Sequence, residues 1–272
     1  MDQCFKMILN IPEELLLKIF SYLTTQDLLQ NVALVNRTFK KVAMDADLLK
    51  IIVLKDIDEH VYQEAENVLA KARRLQKLTL KLNVLNPERL VKVAFATSKG
   101  LKSLDIIGHF TSDLALSLRE NGQQLEHLDF SKMRTTIELD TLLNMTHLRN
   151  LKVLKCVYRW PFQYKDIIIR SLTLNCQQLE EVEFPDISFV TNEILEEFCM
   201  GLKNSLRKLS IHCLSVLQWT FQSLSIMERL TILDIHAAFN LTFTEDQIRN
   251  LANIPLLKEF SLRGQWFLSA RS

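Results

Sequence analysis

Two imidazoles are the groups in this chain best placed to do chemistry. His212 and His236 each stand one residue beyond an apolar-polar-apolar triplet, Leu209–Ile211 and Leu233–Ile235. If these triplets are neighbouring strands, the rings lie side by side about 5 Å apart, a spacing that two ligands of one metal ion can share. A third ligand is missing, because Cys213 follows His212 directly and points to the other side of its strand end, so both are expected to be surface histidines that hold no metal. The five cysteines (Cys4, Cys156, Cys176, Cys199 and Cys213) are odd in number and lie 14 or more residues apart, with no C-x-x-C pair. That spacing fits neither a disulfide framework nor a zinc knuckle, so they read as packing thiols. The chain has no G-x-S-x-G, no H-E-x-x-H, no phosphate-binding loop and only five glycines. A non-catalytic protein without a cofactor is the expectation.

The elements that position the histidines come from a repeat. Between residues 75 and 262 the pattern apolar-x-x-apolar-x-apolar is written eight times, opening at Leu75, Leu101, Leu125, Leu151, Leu179, Leu206, Leu230 and Leu257. The steps are 26, 24, 26, 28, 27, 24 and 27 residues, the leucine-rich-repeat period. All 24 anchor positions are apolar and 22 of the 24 positions between them are polar, with only Val153 and Ile232 breaking the contrast. Three alternating residues make a short half-buried strand. One such unit cannot bury its own apolar face, so the repeats must stack into one solenoid.

The return segments carry helix starts: Asn86-Pro87-Glu88, Thr191, and Thr244 with Gln247 three residues on as a capping box. Thr135–Asn144 and Gln218–Met227 are less regular. The resulting fold class is α/β, a leucine-rich-repeat solenoid with a parallel sheet on the concave side and helices on the convex side. Leu48–Leu54 starts about one period before Leu75 and is expected to form a ninth, capping rung. At the far end only Trp266 and Phe267 are bulky enough to cover the last rung, so either that rung is poorly capped or the natural chain continues.

Read by column, the open face alternates in sign: Lys102, Glu126, Lys152, Glu180, Arg207 on rungs two to six. Neighbouring opposite charges attract by roughly 0.2–1 kcal/mol per pair at most. The pattern supports two readings, a self-neutralising ladder or an acidic stripe (Glu180, Glu181, Glu183) between basic walls that would receive a basic segment of a partner. Tyr158, Trp160, Phe162 and Tyr164 cluster after the fourth strand, where they serve either as interface anchors or as packing. Thirty-three basic against 32 acidic residues, interrupted in every basic run, argue against nucleic acid. The N-terminus lacks a signal-peptide core and no run approaches the roughly 20 apolar residues of a membrane span. A protein kept in the cytoplasm, the nucleus or both is expected, with no membrane partner.

Residues 11–49 break the repeat. Ile11-Pro12-Glu13-Glu14 opens a helix, Leu15, Leu16, Ile19, Phe20 and Leu23 form its apolar stripe, and Thr24 with Asp27 caps a second helix. Three short helices in about 40 residues bury too little surface to stand alone. This segment strongly resembles the F-box, whose pattern runs Leu-Pro-x-Glu, Ile-Phe-x-x-Leu, Leu-Leu and Val-x-x-x-Trp. The chain supplies Pro12, Glu14, Ile19, Phe20, Leu23, Leu28, Leu29 and Val35, while Ile11 stands for the usual leucine and Phe39 for the common tryptophan.

An F-box followed by leucine-rich repeats is the layout of one F-box subfamily. The resemblance implies a small three-helix F-box at residues 1–50 that docks on the Skp-family adaptor of a cullin-RING (SCF-type) ubiquitin ligase, and repeats at 51–272 that hold a substrate protein. It implies adaptor contacts from Ile11, Pro12, Leu16, Ile19, Phe20, Val35 and Phe39; apart from the resemblance, Leu15, Leu23 and Leu28 are expected to hold the helices together. The substrate surface is expected to include Asp129, Lys155, Trp160, Glu181, Glu183, Lys208, His212 and His236. Two rivals stay open: a repeat scaffold or inhibitor whose N-terminal helices only cap the solenoid, and an enzyme with a pocket beside His212 and His236.

Overall fold

The computed structural model describes residues 11–55, 59–81, 87–108, 111–132, 143, 146–156, 165–186, 191–213, 221–237, 241–264 and 266–268. The chain divides into two compact units, Met1–Leu104 and Asp105–Ser272.

The first unit opens with α1 (Glu13–Phe20), α2 (Thr25–Gln30), a 3-10 turn (Val32–Leu34) and α3 (Arg37–Ala43). Each helix start follows its local chemistry. Pro12 precedes α1 with two acids in the first turn, which suit the positive end of a helix dipole. Thr24 accepts a hydrogen bond from the Asp27 N–H, and Asn36 accepts one from the Phe39 N–H, at 3.1 and 2.8 Å. Leu16, Phe20, Leu28, Ala33, Phe39, Val42 and Ala43 form the core, in which the rings of Phe20 and Phe39 meet edge to face at 5.3 Å.

A second 3-10 turn (Leu48–Lys50) leads into β1 (Ile51–Lys55), followed by α4 (Glu59–Leu69), β2 (Lys77–Lys81) and α5 (Pro87–Thr97). β1 pairs in parallel with β2, Ile52 opposite Leu78 and Leu54 opposite Leu80, so the expected capping rung exists. Buried Thr25 of α2 donates its hydroxyl to the Ile51 carbonyl at 3.0 Å, which ties the helical segment to the first strand. β3 (Ser103–Ile107) begins at the end of this unit, where the Ser103 N–H donates to the Gln76 carbonyl.

The second unit contains α6 (Ser112–Asn121), β4 (His127–Asp129), β5 (Val153–Lys155), α7 (Lys165–Asn175), β6 (Glu181–Asp186), α8 (Asn192–Leu202), β7 (Lys208–Cys213), a 3-10 turn (Gln222–Ile226), β8 (Ile232–Ala237), β9 (Leu241–Phe243), α9 (Glu245–Ala252), β10 (Glu259–Arg263) and β11 (Trp266–Leu268). In both units the sheet's strands follow chain order and pair in parallel. Each repeat strand starts two residues after its opening leucine, and no anchor of the first seven rungs is more than 2% exposed. Burying such a side chain stabilises by roughly 1.5–3 kcal/mol.

The eighth rung differs: Phe260 is 42% exposed, and Leu257 and Leu262 are half-buried. β9 and β11 pair separately in a two-stranded parallel sheet that the repeat pattern does not predict. The register also shifts between Phe184 and Asp186, where Pro185 has no N–H to give to the ladder. Where the sequence reads as irregular, residues 222–226 form only a 3-10 turn; most of Thr135–Asn144 lies outside the described residues.

Two caps of the outer helices are those the sequence signals, while the expected cap Asn86 lies outside the described residues. Thr191 accepts from the Ile194 N–H, and the Thr244–Gln247 box is closed in both directions, at 3.1 and 2.8 Å. Replacing Thr244 by alanine removes one partner of that box and should cost about 1 kcal/mol. Urea unfolding followed by circular dichroism measures it. Cys156, Cys176 and Cys199 are buried thiols outside any disulfide. Burial pushes Cys176 up to about 12 and, with Glu196 adding to it, Cys199 up to about 12, so neither is a nucleophile at neutral pH.

Candidate functional site

Two surfaces carry the candidate residues. The first is the outer face of α1 and its neighbours. Helical spacing sets Leu16 and Phe20 on one side, 2% and 4% exposed, and Leu15 and Ile19 on the other, 53% and 48% exposed. Tyr22, Leu23, Leu34 and Val35 are exposed as well, Pro12 is exposed and Ile11 is half-buried against the core. This corrects the division expected from the sequence. Leu16, Phe20 and Phe39 pack the three helices together and have little surface to offer a partner, whereas Leu15 and Leu23 face outward; Leu28 is buried as expected. Lys41 of α3 donates to both Glu13 carboxylate oxygens, at 2.7 and 2.9 Å, and so bridges the start of α1 to α3.

The second surface is the open face of the sheet in residues 105–272. There the alternating column pairs with itself: Lys152 Nζ donates to Glu126 Oε2 at 2.8 Å, and Arg207 Nε lies 3.5 Å from Glu180. Lys208 reaches Asp234 at 3.9 Å, and Ser210 donates to the same carboxylate at 3.3 Å. Register places Asp129 opposite Lys155 opposite Glu183, so a third ladder crosses three strands. Glu181 stands opposite Lys208.

His212 and His236 are partners in register, and their rings stack at 4.6 Å and 17°. His212 Nε2 lies 3.0 Å from Glu183 Oε1. Stacked rings do not converge on a common ion. Cys213's side chain and Trp160, with its aromatic neighbours Tyr158, Phe162 and Tyr164, lie outside the described residues. One grouping was not visible in the sequence: Asp105, His127 and Asp129 bring three potential ligand atoms within 4.8 Å of one another, with His127 Nε2 3.2 Å from Asp105 Oδ1. The pair is diagonal across two strands, and only the sheet register reveals it.

His236 and Glu183 make stability depend on pH. Burial, then the charges of His212 and Arg263, hold the His236 imidazole below its ordinary 6.5. The hydrogen bond with His212 holds the Glu183 carboxyl below its ordinary 4.5. On acidification the unfolded chain protonates His236 before the folded one does, so stability falls as the pH drops through about 6.5. Glu183's contribution is present above about 4.5 and is lost as the pH falls through its lower folded value. The urea midpoint should therefore be lower at mildly acidic pH than at neutral pH, and His236→Asn should narrow the difference.

Residues 8–55 match the F-box-like family. No curated protein matches the chain. Among solved structures, an internalin from Listeria monocytogenes aligns with 79% of this chain and 54% of its own length, at 14% identity and a TM-score of 0.45. This chain thus spans about half the length of that relative. The yeast Rad7 and Elc1 complex aligns over 92% of this chain and 81% of its own, at 13% identity and a TM-score of 0.46.

Proposed function

We propose that this chain, an F-box-like domain followed by leucine-rich repeats, is the substrate-recognition subunit of an SCF-type ubiquitin ligase. Residues 1–50 dock on a Skp-family adaptor and through it on a cullin-RING ligase, while residues 51–272 hold a protein substrate, in the cytoplasm or the nucleus. The chain takes no covalent step: it raises the local concentration of substrate near the ubiquitin-conjugating enzyme. The observation that carries this reading is the F-box-like match at 8–55 coinciding with an apolar outer face on α1, Leu15 and Ile19, that the helix core leaves uncovered.

Co-purification with the adaptor tests it. The wild-type chain should retain the adaptor, and variants with charged residues at Pro12 and Ile19 should not. Failure of the wild type to bind, or equal binding by the variants, overturns the reading.

One observation favours a second reading, a non-catalytic repeat scaffold or inhibitor acting outside a ligase. The Thr25 hydroxyl bonds the Ile51 carbonyl, so the helical segment also serves as a cap for the first strand. In that case deleting residues 1–50 destabilises the repeats, and the intact chain retains no adaptor.

A further inference from the structure

Within the first unit, α2, α3, β1 and α4 enclose a cavity of ≈ 250 Å³. Close packing normally closes such a space when both walls are apolar. Here the floor is apolar: Ala33, Leu54, Ala65 and Val68 are buried, and Leu29 is half-buried. The rim is of another character. Lys40 from α3, Lys55 from the end of β1 and Lys71 after α4 line it, against a single acid, Glu64.

All three lysines are exposed, and among the described residues none makes an ion pair. Elsewhere in the same unit Lys41, Lys50 and Arg74 each hold a carboxylate. Gln26 and Gln30 add amide groups along α2. An apolar floor under a rim of cations and amides complements a molecule with an apolar body and an anionic head.

We propose that this cavity binds a small amphipathic anion, a monocarboxylate with a short apolar tail. The tail lies against Leu54, Ala65 and Val68, and the carboxylate sits among the ammonium groups of Lys40, Lys55 and Lys71. Its walls come from the helical segment and from the first repeat alike, so occupancy stabilises their packing. Leu15 and Ile19 do not line the cavity, whereas exposed Leu34, next to the proposed adaptor contact Val35, does.

Titration calorimetry of the full chain with octanoate, octylamine and 1-octanol tests the proposal. Octanoate should bind one to one and raise the melting temperature, and octylamine should not bind. The double variant K55E/K71E, altered only at exposed positions, should bind octanoate at least about tenfold more weakly. Ala65→Phe should fill the cavity and abolish binding; its melting curve reports whether it folds, and the lysine variant carries the test if it does not. No saturable binding at millimolar octanoate, equal binding of the three probes, or binding indifferent to charge reversal would each overturn the assignment.

Discussion

Replacing Ile19 by glutamate should abolish capture of the Skp-family adaptor while leaving the chain folded. Ile19 is 48% exposed and lies on the side of α1 away from Leu16 and Phe20, so the substitution touches none of the three-helix core. Glutamate is a good helix former, and the helix itself should persist. At a docked apolar interface, however, the new carboxylate is desolvated without a partner, at a cost of several kcal/mol. A loss of about 100-fold or more in affinity is expected, with an unchanged circular dichroism spectrum. Phe20→Ala provides the contrast. That ring is buried against Phe39, and its removal should cost roughly 3–5 kcal/mol of stability, so any loss of binding there would follow loss of the fold.

The second large effect is expected in the repeats. Phe184 is the third anchor of the fifth rung, 1% exposed, and meets Phe198 of α8 edge-on at 5.5 Å. Phe184→Ala leaves a void between strand and helix that close-packed neighbours cannot fill, for a loss of roughly 3–5 kcal/mol. Domains are commonly stable by only about 5–15 kcal/mol, and each repeat depends on those beside it. The urea midpoint should fall sharply. Phe260→Ala deletes the same ring from the same kind of motif, in the eighth rung. Because Phe260 is 42% exposed, its removal should cost less than about 1 kcal/mol. Equal effects of the two substitutions would mean that the repeats are not coupled as described.

The repeat was legible because its signal is periodic: a strand of alternating residues whose anchors recur every 26 residues on average leaves little choice of register. The caps at Thr24, Thr191 and Thr244 were legible because a cap acts over three residues. On α1 the sequence could not say which stripe was buried, since Leu15 and Ile19 are as apolar as Leu16 and Phe20, and the choice is made by α3 arriving from 20 or so residues away. Alternation of charge was visible along the column, and the structure supplies the pairing, from Lys152–Glu126 to Arg207–Glu180. The diagonal pair of Asp105 and His127 depends on how two strands are registered, and the cavity beneath Lys40, Lys55 and Lys71 on how four elements meet. Neither leaves a trace in local spacing. The parallel pairing of β9 with β11 is likewise a contact between segments that carry no common motif.

Hydrogen–deuterium exchange of the full chain, alone and mixed with a Skp-family adaptor, tests the central claim most directly. The proposed function predicts that amides of α1 and of the turn through Leu34 and Val35 exchange more slowly in the mixture, while β4 to β8 are unchanged. Slowing confined to the repeats, or no slowing anywhere, would contradict it.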